Sequence, residues 1–366
     1  MPPPRVSAKE GNRPAQGRQA SARWVARGLL ALCGVMGLTL LSGLFWHVGR
    51  DGLRHSLQLL GPWLLPFVLL DSLSLWLHTL GWVACFPPAQ RRPSLWYLCA
   101  LRQAGSTMSW ATPTATLGGE VAKVLWLETT LSRTQAAASV AIDRASFLAA
   151  QVLYLALGLL CLLGSVVLPQ AWRWSMYAAL LLLLLGLLAC LACQYYGLLS
   201  YGLRWLDARH RLPALLQRYT PQVLAFETAM MAYYAAHPWR FLRAVGYHGL
   251  ALLFDGVQTY VLLLLLLGAQ APGLGQALLV AVAVTAIDQL FFFVPAHLGT
   301  LEASRFMVMA GLGATPVHGL TFGLVARLHS LFWHGCGFLG ALLAYRCWRQ
   351  QRSHLAPQAP DAVLPG

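Results

Sequence analysis

The sequence predicts an all-α fold: a polytopic membrane bundle of about six full spans plus two re-entrant helical hairpins related as an inverted repeat. Three observations lead there. Of 366 residues, 58% are hydrophobic and only 10% are charged, against about 25% charged in a soluble domain. Apolar runs long enough to cross a bilayer recur along the chain, and the Lys and Arg residues gather between them. This composition excludes an ordinary soluble enzyme and a disordered chain. The formal net charge of +14 reads as cytoplasmic flanks facing anionic lipid, and no nucleic-acid partner is expected.

The elements follow in order. Residues 1–27 carry Arg5, Lys9, Arg13, Arg18, Arg23 and Arg27 among Pro, Gly and Ala, and read as a basic flexible cytoplasmic tail. That tail is too long and too evenly charged for a signal peptide, so the run 28–48 reads as a retained first span. Further full spans are expected at 59–86, 145–168, 174–193, 244–267 and 317–344. The transmembrane domain is thus 28–345, with a first half 28–193, an amphipathic cytoplasmic loop 194–240, a second half 241–345, and a basic tail 346–366.

Two stretches are apolar but broken, 94–130 and 277–313. Each holds a Pro (Pro113, Pro295), then a Leu-Gly step (Leu117-Gly118, Leu298-Gly299), between two short helix-like runs. Irregular backbone at membrane depth requires cover by protein or a wet cavity, which suits re-entrant hairpins with turns at Gly118, Gly119, Pro295 and Gly299. The charge bias agrees, with both termini cytoplasmic. Arg91, Arg92, Arg133, Arg204, Arg209 and Arg346 fall inside, while the outer loops keep only Arg50, Arg54 and Arg173. The location expected is a bacterial-type inner membrane.

The broken pieces also resemble each other. Glu120 is followed three residues later by Lys123 and 24 later by Arg144; Glu302 is followed three later by Arg305 and 25 later by Arg327. With opposite entry sides, this is the inverted repeat of alternating-access transporters.

At these residues a family resemblance emerges. GGEVAKVLWLE, SRTQAAASVAIDRASFLAAQVLYLALGLL and FFFVPAHLGTLEASRFMVMAGLGATPVHGLTFGLVARLHSLFW resemble the transmembrane region of the lysylphosphatidylglycerol synthase/flippase superfamily. VAIDRASFLAAQVLY and FFFVPAHLGTLEA look most like its hopanoid-biosynthesis-associated membrane protein branch. The resemblance spans roughly residues 30–345 and implies a lipid-handling membrane protein. The two-part enzymes of that superfamily carry a soluble aminoacyl-transferase domain after the membrane region, whereas about twenty mostly polar residues follow Ala344, so lysine transfer is not expected. Ala296 and His297 stand where relatives would have a Gly-rich turn.

Ions inside a bilayer cost about 2.5–3.5 kcal/mol each and mark function by default. Asp71, Asp143 and Asp255 are among them, and the substrate-pathway candidates are Arg102, Glu120, Lys123, Arg144, Asp288, Glu302, Arg305 and Arg327. Glu120/Lys123 and Glu302/Arg305 are helical i,i+3 neighbours able to neutralise each other. The plainer alternative is that these ions only stitch the hairpins to the bundle. A half-helix starting at Gly118-Gly119 or Gly299 would aim N–H groups at a phosphate, and Arg side chains would add bidentate contacts. TLGGE lacks the GK[ST] ending of a P-loop.

No catalytic residue, metal or cofactor is expected. Cys190 and Cys193 form a CxxC inside an apolar run and read as buried small hydrophobes. His318 and His329 lie eleven apart, and His248 and Asp255 seven apart, which suits polar packing or a proton relay better than zinc. Trp46, Trp63, Trp82, Trp172 and Trp174 read as an interfacial belt. YGLRWLDARHRLPALLQRY reads as an amphipathic helix on the inner leaflet, with a partner-docking surface as the alternative. Together these features describe a transporter moving an amphipathic lipid (hopanoid, polyprenyl-linked or phospholipid) between leaflets. The alternatives are a membrane enzyme or a scaffold subunit in hopanoid or glycolipid biosynthesis, partnered by lipid-biosynthesis enzymes.

Overall fold

The computed structural model describes residues 50–88, 92–111, 117–165, 170–209, 214–291 and 294–355. The expected tail 1–27, first span 28–48 and Pro113 lie outside these residues. Within them the protein is helical, with no strand. We label the helices α1 (Arg50–Ala84), α2 (Leu95–Ala111), α3 (Leu117–Leu127), α4 (Arg133–Ser165), α5 (Gln170–Tyr196), α6 (Leu198–Ala208), α7 (Ala214–Ala236), α8 (Pro238–Leu267), α9 (Leu274–Leu290), α10 (Thr300–Gly311) and α11 (Pro316–Leu355).

Four segments are long and apolar enough to cross a membrane: Gly61–Ala84, Arg133–Gly164, Arg173–Tyr196 and Pro238–Gln270. The protein is therefore a polytopic membrane bundle. The expected span at 317–344 lies in α11, which at 40 residues is ample in length. His318, Arg327, His329 and His334 lower its hydropathy, and the last three turn out to face the interior. Residues 346–355, expected as tail, continue α11. The stretch 194–240, expected as an amphipathic loop with a helix on the inner leaflet, contains the helices α6 and α7.

The centre of the bundle is the crossing of α1 and α8. Gln258 donates to the Phe67 carbonyl at 3.1 Å, and His78 meets His248 at 2.9 Å. Rising numbers on one helix meet falling numbers on the other, so the pair is antiparallel. Arg240, in the first turn of α8, donates to the carbonyls of Ala84 (3.2 Å) and Phe86 (2.9 Å). A cation thus satisfies carbonyls that the end of α1 leaves without helical partners.

Each broken stretch forms a helical hairpin. Its longer arm has 17 residues, and its shorter arm has 11 in α3 and 12 in α10. At 1.5 Å per residue these arms reach about 16–26 Å, short of the ~30 Å hydrocarbon core. The first hairpin follows the C-terminus of α1 and the second the C-terminus of α8. Because α1 and α8 are antiparallel, the hairpins open at opposite ends of the bundle. Their far ends meet where α2 packs on the turn at Pro295–His297.

Each hairpin also packs across to the other half, α2 against α11 and α9 against α4. A glycine permits each approach. A Cβ on Gly337 would overlap Thr107 and stand 2.6 Å from the Gln103 carbonyl; one on Gly158 would stand 2.5 Å from Val282. Within the first hairpin, α2 and α3 touch so closely that a Cβ on Gly119 would overlap the Gly105 carbonyl oxygen.

The apolar surface faces outward, as a bilayer requires. α5 is the extreme case, with Leu182 and Leu188 exposed and its most apolar window only 6% buried. Cys193 is exposed on this helix and Cys190 half-buried, so the CxxC is not the buried pair expected. Trp63 and Trp174 are exposed as a belt requires, but Trp82 is wholly buried. Its ring lies under Arg102 and Lys123, at 5.9 and 5.6 Å.

Gly119→Ala should lower the stability of the detergent-solubilised protein by about 1–3 kcal/mol through overpacking. Gly186→Ala on α5, where an added Cβ meets nothing within 4 Å, should be neutral. Thermal unfolding followed by intrinsic Trp fluorescence compares them.

Candidate functional site

Three cavities with ionisable residues in their walls lie inside the bundle: the first against the second hairpin, the second against the first hairpin, and the third between the two. The first, about 250 Å³, includes Asp71, Asp255, Asp288, Arg305 and His329 in its wall. The second, about 350 Å³, has Asp71, His78, Arg102, Glu120, Lys123, Asp143, Arg144 and Asp255. The third, about 360 Å³, has Arg144, Asp288, His297 and His334. Their walls are shared: Asp71 and Asp255 border the first two, Ser106, Ser109 and Arg144 the last two, and Thr285 and Asp288 the first and third. The three cavities thus adjoin one another, and we refer to them collectively as the chamber.

On the side of the first hairpin, α2 supplies Arg102, which grips Asp143 of α4. Nη1 donates to both carboxylate oxygens at 3.1 and 2.9 Å. Asp143 is 2% exposed, so the pairing is what makes its burial tolerable. His248 Nε2 stands 3.3 Å from the same carboxylate. On α3, Lys123 donates to both oxygens of Glu120 at 3.1 Å, the i,i+3 pair the spacing predicts.

The second hairpin is wired differently. Glu302 and Arg305 do not pair with each other. Arg305 Nη1 reaches back to Asp288 of α9, at 2.7 and 2.6 Å from its two oxygens. Glu302 pairs with Arg327 of α11, whose Nε and Nη2 donate at 2.6 and 2.9 Å. Arg327 then spends Nη1 on the Ala296 carbonyl (2.7 Å) and Nη2 on the His297 carbonyl (2.8 Å).

Those two carbonyls belong to the residues standing where a Gly-rich turn was expected. Ala296 and His297 adopt positive φ, 54° and 45°. That region costs a residue with a Cβ roughly 1–2 kcal/mol. Arg327 holds the strained turn from outside, doing with hydrogen bonds what glycines would do by lacking a Cβ.

Six of the eight pathway candidates border the chamber: Arg102, Glu120, Lys123 and Arg144 on one side, Asp288 and Arg305 on the other. Glu302 and Arg327 border none of the three cavities and instead lock the second turn. The matched spacing of Arg144 and Arg327 therefore conceals different surroundings. Arg144 lies 5.3 Å from the Phe147 ring and borders two of the cavities. Gly118 and Gly119 fall inside the first turn of α3, Pro295 opens the second turn, and Gly299 caps α10 with φ 72°. The first turns of α3 and α10 each carry an acidic residue, Glu120 and Glu302. The positive end of each short helix thus already has a carboxylate beside it.

The chamber also holds residues outside the candidate set: Asp71, His78, Asp255, Ser106, Ser109 and Thr285. Among the described residues no group of three or more His, Cys, Asp or Glu is arranged to hold a metal ion.

A chamber with ionisable residues in its wall, beside two interlocked hairpins in a helical membrane bundle, accompanies a family match over residues 24–336, to the lysylphosphatidylglycerol synthase TM region. The chain belongs to this family. Membership makes it a membrane protein of lipid metabolism. No match was found among curated proteins or among solved structures.

The two ways of holding an Arg predict different responses to Lys. Arg327 serves four acceptors with three nitrogens, a planar fork that Lys cannot reproduce. Arg327→Lys should therefore cost about 2–4 kcal/mol of stability. Arg305 makes its contacts through one nitrogen, which an ammonium can imitate, so Arg305→Lys should cost less than about 1 kcal/mol. Thermal unfolding in detergent reads both; equal losses would refute the clamp.

Proposed function

We propose that the protein is a flippase-like transporter, moving an amphipathic lipid between leaflets with its headgroup in the chamber and its tails in the bilayer. The observation that carries this reading is the chamber itself. Ions are expensive in hydrocarbon, and a bundle that needed them only for stitching would not arrange them around open space. The family's place in lipid metabolism supports it. Lipids with charged or hydroxylated heads fit the mixed lining: a phospholipid, a polyprenyl-linked lipid or a hopanoid.

The hairpins act as re-entrant gates. Their opening at opposite ends of the bundle supports an inverted repeat, and the Lys/Arg bias of the loops supports cytoplasmic termini in an inner membrane. The correspondence of Gly158 against α9 with Gly337 against α2 also supports the repeat. In such a repeat the chamber faces the two sides in turn. Arg144 borders both the second and third cavities and is placed to follow an anionic head across. Lys123, Arg102, Asp288, Glu120 and Arg305 form the path, while Glu302 and Arg327 keep the second gate in shape.

The buried His248 and Asp143, with the half-buried His78 beside them, favour one second reading, a membrane enzyme or scaffold subunit in lipid biosynthesis. Only the enzyme would require a second substrate, and a scaffold would move no lipid.

Two measurements test this function. Purified protein in vesicles of phosphatidylethanolamine and phosphatidylglycerol should speed the transfer of fluorescent phosphatidylglycerol between leaflets. Arg144→Gln should slow transfer about tenfold, equivalent to ~1.4 kcal/mol of barrier, at equal abundance. For topology, Thr130→Cys and Ala269→Cys in a Cys-free background should react with an impermeant maleimide from opposite sides. Labelling from one common side would end the inverted arrangement.

A further inference from the structure

α1 and α8 carry the same two residue types in reverse order. Asp71 and His78 are seven apart on α1; His248 and Asp255 are seven apart on α8. A seven-residue step returns to nearly the same helix face, about 10 Å further along. Because the helices are antiparallel, Asp71 falls level with Asp255 and His78 level with His248. The structure shows the second level directly, with the two Nδ1 atoms 2.9 Å apart. At the first level, Asp71 and Asp255 border the same two cavities.

The surrounding fixed charges are matched elsewhere. Facing the His level, Arg102 is bound to Asp143 and Lys123 to Glu120. Facing the Asp level, Arg305 is bound to Asp288, and the Tyr154 ring of α4 borders the same cavity. Arg144 of α4 borders the second cavity. Among the described residues neither Asp71 nor Asp255 has a Lys or Arg ion-pair partner. Asp71 stands 3.5 Å from His329 of α11, and the buried Oδ1 of Asp255 has no hydrogen-bond partner. A buried carboxylate oxygen with neither donor nor cation is costly unless a proton resides on one of the carboxylates.

We propose that the α1–α8 seam binds and passes protons, with Asp71, Asp255, His78 and His248 as the carriers. A proton arriving from one side converts a carboxylate of the Asp level to the acid. It passes through water in the second cavity, whose wall also holds Ser74 of α1, to an imidazole of the His level. That step leaves carboxylate behind and imidazolium ahead, and release of the proton to the far side restores both. The second cavity, about 350 Å³, has ample room for the bridging water, since one molecule needs only ~10–15 Å³. Asp143 beside His248 stabilises the imidazolium. The inference rests on the transport reading for its purpose, which is to couple lipid movement to a proton gradient. Its geometry stands independently.

The experiment uses the full chain in phosphatidylethanolamine/phosphatidylglycerol vesicles, with a trapped pH dye and fluorescent phosphatidylglycerol read in parallel. Wild type should admit protons at least about fivefold faster than protein-free vesicles, and an imposed pH gradient should change its lipid transfer rate. Asp255→Asn and His78→Gln should abolish proton entry and the gradient effect while remaining monodisperse. Asp255→Glu, which keeps a titratable group, should restore both. Proton entry without lipid transfer would uphold the seam and overturn the transport reading. Lipid transfer with no proton entry and no gradient effect would overturn the seam and leave transport standing. Undiminished proton entry in Asp255→Asn would also overturn it.

Discussion

A charge inside an apolar bundle must have its opposite within reach, and this requirement decides how the helices of the core are joined. Three ion pairs bridge different helices: Arg102 of α2 to Asp143 of α4, Arg305 of α10 to Asp288 of α9, and Glu302 of α10 to Arg327 of α11. Each pair fixes a hairpin arm either to its own second arm or to the long helix that follows. Breaking one strands a buried ion, which costs about 3–5 kcal/mol. The pairs therefore act with buried apolar contacts such as Leu98, Leu101, Leu127 and Met309 to hold the short arms in place.

The same pairs separate two roles that look alike in a list of ionisable residues. Arg327 spends four hydrogen bonds on a carboxylate and on two carbonyls of a strained turn, leaving little to offer a substrate. Arg144 borders two cavities. Stitching thus does not describe the whole set: the second hairpin contains a residue pair that stitches, while other ionisable residues line the cavities.

Much of this was legible in the sequence. The Leu-Gly steps mark where the short helices α3 and α10 begin, and Pro295 marks the turn before α10, because a short arm needs a break ahead of it. The Glu120–Lys123 pair followed from helical spacing alone. Glu302 with Arg327 was visible only as a spacing, since its meaning depends on where α11 packs. The Asp71–His78 and His248–Asp255 steps were equally visible, yet their matching requires knowing that α1 and α8 run antiparallel in contact. Trp82 misled for the same reason. A Trp near a span's end reads as interfacial until two cations prove to lie over its ring. α11 is less apolar than the other long helices because it carries His and Arg residues that face the interior and not the lipid.

The crossed packing of the hairpins has a mechanical consequence. α2 belongs to the first half but lies against α11 of the second, while α9 lies against α4, and each contact is seated at a glycine with no slack. Close-packed interfaces transmit displacement rather than absorb it. A tilt of one hairpin therefore pushes on the long helix of the opposite half, as teeth of meshed gears do. The two ends of the chamber are geared together by contact alone, so that one end cannot swing wide without shifting the support of the other.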